Sequence, residues 1–288
     1  MISDITLGQF FPGNSPLHRL DPRTKILLTV VFIVAVFMAN SPLMFAALAI
    51  GVILLVLSSG ISIKVILKGI KPIIFVLIFT ALINVFMTRA EGEPLVSFWV
   101  IKIYKEGIIR AFFMAFRVIL LIIGTSVLLT YTTSPISLTD GIESLLSPLK
   151  KIGVPVHVFA MMMTIALRFI PTLIEETEKI MNAQKSRGAD FSSGSLVKRA
   201  KSLIPLLIPL FVSSFKRADE LAIAMECRCY RGDKNRTKLV KLAYKGIDVS
   251  WFSLGAIFMA LTITLRIIPP YLEGSLTEAV FSVLFHKI

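Results

Sequence analysis

"ILLTVVFIVAVFMANSPLMFAALAIGVILLVL", Ile26 to Leu57, runs for 32 residues without a charged side chain. A helix crossing a bilayer needs about 20 predominantly apolar residues, so the stretch is too long for one crossing. Asn40, Ser41 and Pro42 form a turn signal near its middle, which predicts two short or tilted helices joined as a hairpin. The rest of the chain is of the same kind: 55% of its 288 residues are hydrophobic and the mean hydropathy is +0.81. That composition excludes an ordinary soluble domain and predicts an all-α integral membrane protein.

Further crossings follow on either side of the same logic. Pro72 to Thr88 is uncharged and bracketed by Lys71 and Arg89, Ile108 to Thr133 holds a clean apolar run from Val118 to Leu129, and Val249 to Ile268 is the last. The expectation is five transmembrane helices. The N-terminus "MISDITLGQFFPGNS" lacks a basic start and an apolar core, so it does not read as a cleaved signal peptide. Arg19, Arg23 and Lys25 precede the first crossing, and Lys64, Lys68 and Lys71 separate the second from the third. By the positive-inside rule both groups are cytoplasmic. The mixed-charge loop from Arg89 to Gly107 is then outside.

After the fourth crossing the chain stays inside for about a hundred residues. From Lys150 to Asp248 there are 18 Lys and Arg against 9 Asp and Glu, so this segment carries +9 of the total +13. The net charge therefore reflects cytoplasmic sidedness, and no nucleic-acid partner is expected. The predicted organisation is residues 1–135, an N-terminal segment with four transmembrane helices; 136–248, cytoplasmic coupling helices; and 249–288, the last transmembrane helix with a tail. The inner segment opens with "DGIESLLSPLKKIG", where Ile142, Leu145, Leu146 and Leu149 recur at helical spacing and Asp140 with Glu143 suggests a capping box. It predicts an amphipathic helix at the membrane surface.

Pro155 to Arg187 reads as one long helix, apolar in "PVHVFAMMMTIALRFIPTLI" and amphipathic in "EETEKIMNAQKSRG". The stretch "VKRAKSLIPLLIPLFVSSFKRADELAIAMECRCYRG" repeats that plan after the break at "FSSGS". If residues 155–174 crossed outward, Lys185, Arg187, Lys198, Arg199 and Lys201 would lie outside, against the positive-inside rule. Helices packed in or beneath the inner face are the preferred reading.

The two copies end alike, in Ser186-Arg187-Gly188 and in Cys227-Arg228-Cys229 followed by Arg231 and Gly232. A cation in the last turn favours the negative end of the helix dipole, and a glycine supplies a left-handed cap. Stability accounts for one such ending. Two of them, 41 residues apart on one side of the membrane, suggest two equivalent receptors, and a guanidinium suits a carboxylate-bearing groove.

Three motifs carry a resemblance: "GNSPLHRLDPRTKI" (13–26), "AQKSRGADF" (183–191) and "AMECRCYRGD" (224–233). In this order they resemble the transmembrane (T) component of energy-coupling factor (ECF) transporters, a family that drives vitamin and transition-metal uptake. The resemblance implies that Arg187 and Arg228 each dock in one of two ABC-type ATPase subunits. Ser186, Gly188, Cys227 and Cys229 would be small neighbours, with Arg231 and Gly232 at the rim or capping the helix. It also implies a small substrate-binding (S) membrane subunit as partner in the cell membrane. The family commonly has alanine before the arginine and often glycine after it, a pattern from which Ser186, Cys227 and Cys229 are small departures.

No glycine is followed by lysine anywhere, so the chain has no phosphate-binding loop and is not expected to be an ATPase. Cys227 and Cys229 have no second pair, and His18, His157 and His286 are scattered, so neither a metal site nor a cofactor is expected. Two other readings remain open. A secondary carrier with its own substrate site predicts transport by the chain alone; a membrane-surface anchor predicts salt-sensitive affinity for anionic lipid. The Met-rich "AMMMTIAL" at 160–167 suits an adaptable partner surface or a packed core. "LHRLDPRTK" suits a tie between the first helix and the inner face through Asp21 and Arg23, or a plain anchor.

Overall fold

The structure, a computed structural model, describes residues 10–88, 96–98, 101–189, 191, 195–232 and 242–267. Arg89, Glu91 and Glu93 of the outer loop, the basic stretch 233–241 and the tail with His286 lie outside the described residues. The chain divides into two units, one holding residues 10–134 and 242–267, the other 135–232.

The first unit contains α1 (Pro22–Met38), α2 (Pro42–Ser59), α3 (Ile63–Ile70), α4 (Ile74–Met87), α5 (Lys105–Thr125) and α9 (Gly246–Ile267). The hairpin expected from the uncharged run is present. Proline at N1 starts both of its arms, where its missing N–H costs nothing. Helix α1 packs on α5 and α9, α2 on the same two, and α4 on α5. A Cβ on Gly124 of α5 would lie 2.3 Å from the Phe32 ring, so α1 and α5 approach closely only because that position is glycine. Leu17, Phe32, Val36, Met44, Leu48 and Val127 form the heart of the core. The outward faces of α2, α4 and α9 are apolar and exposed, as a lipid solvent requires.

Helix α5 continues through a π-helical turn, Ser126–Thr130, to the end of the predicted fourth crossing. In its interior Arg117 donates to the carbonyl of Ala39, the C-cap of α1, and lies 5.5 Å from the centre of the Phe45 ring. The expected outer loop holds a two-stranded antiparallel hairpin, β1 (Val96–Phe98) and β2 (Ile101–Ile103), which helical periodicity does not reveal. Among the described residues the other regular elements are helical.

The second unit contains α6 (Pro135–Leu146), α7 (Val156–Ser186) and α8 (Leu196–Cys227). The single long helix expected from 155 to 187 is α7, whose 31 residues reach about 46 Å. Helix α8 runs 32 residues through Pro205 and Pro209. The capping box at Asp140 does not form, because α6 starts five residues earlier at Pro135, and Glu143 is buried. Its carboxylate pairs with His157 Nδ1 at 2.9 Å, joining α6 to α7.

Among the described residues five helices are long and apolar enough to cross a membrane: α2, α3 with α4, α5 with its π turn, α7 and α9. The five expected crossings differ in one member. Helix α1, with 17 residues and about 25 Å, sits at the short limit of a span, whereas α7 satisfies length and composition through its apolar first half. What separates α7 from the others is the charge after it, not its hydropathy.

Candidate docking site

The two endings share one backbone motif. In α7 the C-cap is Arg187; Gly188 N–H donates to Lys185 O at 2.9 Å and Ala189 N–H to Gln184 O at 3.0 Å. In α8 Arg228 follows the last helical residue; Cys229 N–H donates to Glu226 O at 2.8 Å and Tyr230 N–H to Met225 O at 3.0 Å. Both are complete Schellman caps, in which the residue after the C-cap must be left-handed. Gly188 takes φ +89° and Cys229 takes φ 58°.

This corrects the role of the second glycine. Gly232 also has positive φ, 76°, but lies past the cap, and the left-handed residue that ends α8 is Cys229. The structural equivalent of Gly188 is therefore a cysteine, a backbone conformation that costs an L residue about 1–2 kcal/mol. Ser186, Arg187 and Gly188 are exposed, as are Cys227, Arg228, Cys229 and Arg231. Each arginine stands at the C-cap, where the backbone turns away and leaves the side chain at the tip of its helix.

A second feature was not legible from local patterns. Glu176 on α7 accepts a hydrogen bond from Ser213 Oγ and one from Arg217 Nη2 at 3.1 Å, both on α8. The Ser213 hydroxyl, helped by Arg217, holds the Glu176 carboxyl below the usual carboxylate range. Glu176 lies 11 residues before Arg187, and Arg217 lies 11 before Arg228. Eleven residues are about three helical turns and 16.5 Å, so each clasp residue shares a face with its arginine. Glu175, its neighbour in the chain, is exposed.

The N-terminal motif sits in the other unit and forms a buried network there. Asp21 caps α1 by accepting from Arg23 N–H at 2.9 Å, while its own N–H donates to Asp248 Oδ1 at 2.9 Å. Asp248, 1% exposed, also accepts from Lys245 N–H at 2.7 Å. Lys25 Nζ donates to Thr132 O at 2.7 Å and Thr133 Oγ1 at 3.2 Å. Thus Asp21 and Lys25 hold the segments just before Ser134 and just after Leu242, the points where the chain leaves this unit and re-enters it. His18 is local to the motif, bonded to Ser15 and to the Phe11 carbonyl. The Met-rich stretch presents Met162 and Met163 at the surface of its unit, 49% and 55% exposed.

Comparison with known proteins adds a relationship along nearly the whole chain. A family profile described as "CbiQ: Cobalt transport protein" matches residues 13–239. A protein of Ruminiclostridium cellulolyticum named energy-coupling factor transporter transmembrane protein EcfT is 53% identical over 266 residues, covering 92% of this chain and 98% of that protein. Proteins of the same name from Clostridium kluyveri, 51% identical over 93% of this chain and 98% of theirs, and Bacillus subtilis, 46% over 92% and 100%, are similar in the same way.

Proposed function

The chain belongs to the CbiQ/EcfT family of energy-coupling factor transporter transmembrane proteins, multi-pass proteins of the cell membrane, and from that premise we propose how it couples. Arg187 and Arg228 are docking residues, each entering a groove of one of two ABC-type ATPase subunits. Their small neighbours Ser186, Gly188, Cys227 and Cys229 admit the guanidinium, with Arg231 and Gly232 at the rim. The helices α7 and α8 carry the motion to a small substrate-binding membrane subunit. The single observation behind this reading is that two helices of one unit end in the same cap with an exposed arginine at the same position.

The geometry supplies a lever. With arms of about 16.5 Å from clasp to tip, a change of about 10° in the crossing angle displaces each tip by roughly 3 Å. A docked ATPase pair that closes would drive the tips together, and the long helices would transmit the rotation beyond the clasp. Exposed apolar side chains there, including Met162, Met163, Leu207 and Phe211, form a surface on which an apolar subunit can ride.

The test is purification of the tagged full chain from its native membrane, as wild type and as Arg187→Ala/Arg228→Ala. Two ATPase subunits and a small membrane protein should accompany the wild type and be lost from the double variant, which still inserts. Transport at the wild-type rate by the double variant would overturn the assignment.

A further inference from the structure

The spanning unit contains a cavity of about 500 Å³ between α1, α2 and α9. Its walls include Leu28 and Phe32, Leu55 and Ser58, and Trp251 and Leu254. The helices meet behind it at glycines: a Cβ on Gly51 would come 2.9 Å from the Phe258 ring, and one on Gly255 would come 2.6 Å from Leu28 Cδ2. Leu54 and Ile257, on its rim, are exposed, so the cavity opens sideways toward lipid.

Its length and orientation are informative. From Trp251 to Leu261 the lining of α9 rises about 15 Å, half of the roughly 30 Å hydrocarbon core and so one leaflet. The end at Ser58 and Trp251 is the cytoplasmic one, because α2 leads there into Lys64, Lys68 and Lys71. Tryptophan at that level suits the headgroup boundary.

Cations lie close along the chain to that end. Lys64 begins an exposed row with Lys68 and Lys71 at helical spacing, while Ile66 on the opposite side of α3 is buried in the core. Lys245, also exposed, precedes Trp251 by six residues. The site is therefore apolar along its length and positive at one end. A single hydrocarbon chain matches the apolar lining and its length of about 15 Å, and the positive end matches an anionic headgroup.

We propose that this cleft holds one acyl chain of an inner-leaflet anionic phospholipid, its phosphate held between Lys64 and Lys245. The occupant fills the cleft in front of the two close glycine contacts and wedges α9 against the α1–α2 hairpin.

Trp251 is the reporter, and Trp99→Phe leaves it as the only tryptophan. The Trp99→Phe full chain is reconstituted in phosphatidylcholine vesicles containing a minor, equal fraction of acyl-brominated phosphatidylglycerol or acyl-brominated phosphatidylcholine. Quenching should show at least about fivefold preference for the anionic lipid, each cation near an anionic headgroup contributing roughly that factor. Lys64→Gln/Lys245→Gln should abolish the preference while leaving quenching by phosphatidylcholine, and Leu254→Phe, which fills the cleft, should reduce both. Equal quenching by the two lipids, or a preference that survives the double lysine substitution, would overturn the site. Native mass spectrometry of the unsubstituted chain gives an answer independent of any variant. Retention of one phosphatidylglycerol through delipidation supports the proposal, and complete loss at the same stage as phosphatidylcholine refutes it.

Discussion

Replacing Cys229 by glycine should tighten the end of α8 without touching the arginine beside it. The cap requires a left-handed residue at this position, and Cys229 meets the requirement at φ 58°. An L side chain there costs about 1–2 kcal/mol. Glycine removes that strain but loses up to about 1 kcal/mol more backbone entropy on ordering. The difference leaves about 1 kcal/mol in favour of glycine, or roughly a fivefold shift in the local opening equilibrium. Hydrogen–deuterium exchange of the full chain reads it at the Tyr230 amide, whose bond to Met225 O exists only when the cap is closed. Its protection should rise about fivefold in Cys229→Gly, after correction for intrinsic rates. Cys229→Ala should be close to neutral, since alanine bears the same strain, and Gly188→Ala should lower protection of Ala189 by about the same factor. Unchanged protection at Tyr230 in Cys229→Gly, or equal stabilisation by alanine, would show that the side chain and not the backbone governs this cap.

Glu176→Ala removes the acceptor shared by Ser213 and Arg217 and should broaden the distance between spin labels at Asn182 and Ala222 in a Cys227→Ser, Cys229→Gly background. Because the folded carboxyl titrates below its ordinary value, the clasp is fully present above the usual carboxylate pKa of about 4.3 and is lost as pH falls through the lowered one. The wild-type distance should therefore hold from neutral pH to about 4.3 and broaden only below it; broadening near pH 6 would refute the assignment. Asp248→Ala strands the buried N–H of Asp21, at about 1–3 kcal/mol, and also removes the acceptor of the Lys245 N–H, whereas Asp248→Asn keeps one acceptor oxygen. Thermal unfolding of the purified chain should rank wild type above asparagine above alanine, and an alanine midpoint equal to wild type would remove the network from the stability of this unit.

The spans and the long helices were legible because they are written in composition: Ile26 to Leu57 and Pro155 to Arg187 declare themselves by runs and periods that no neighbour is needed to interpret. Pairings between distant residues were not. Glu143 looked like half of a capping box because Asp140 precedes it by three residues, yet α6 begins at Pro135 and His157 takes the carboxylate from 14 residues away. Gly232 looked like the end of α8 because glycine usually is, and a strained cysteine gives no local sign. The clasp is different, since its signal was present in the spacing.

Arg187 and Arg228 are 41 residues apart, and so are Glu176 and Arg217. At the same offset, then, one pair of equivalent positions forms the two tips and another pair touches. Equivalent positions of two repeats meet each other at the point about which the repeats are exchanged, just as a residue meets its own copy on the axis of a two-fold dimer. That point is the clasp. Opposite charges there let the two copies attract where identical side chains of either sign would repel. The tips then stand equally far from it and end in equal caps, the arrangement that the proposed docking to two like ATPase subunits would require.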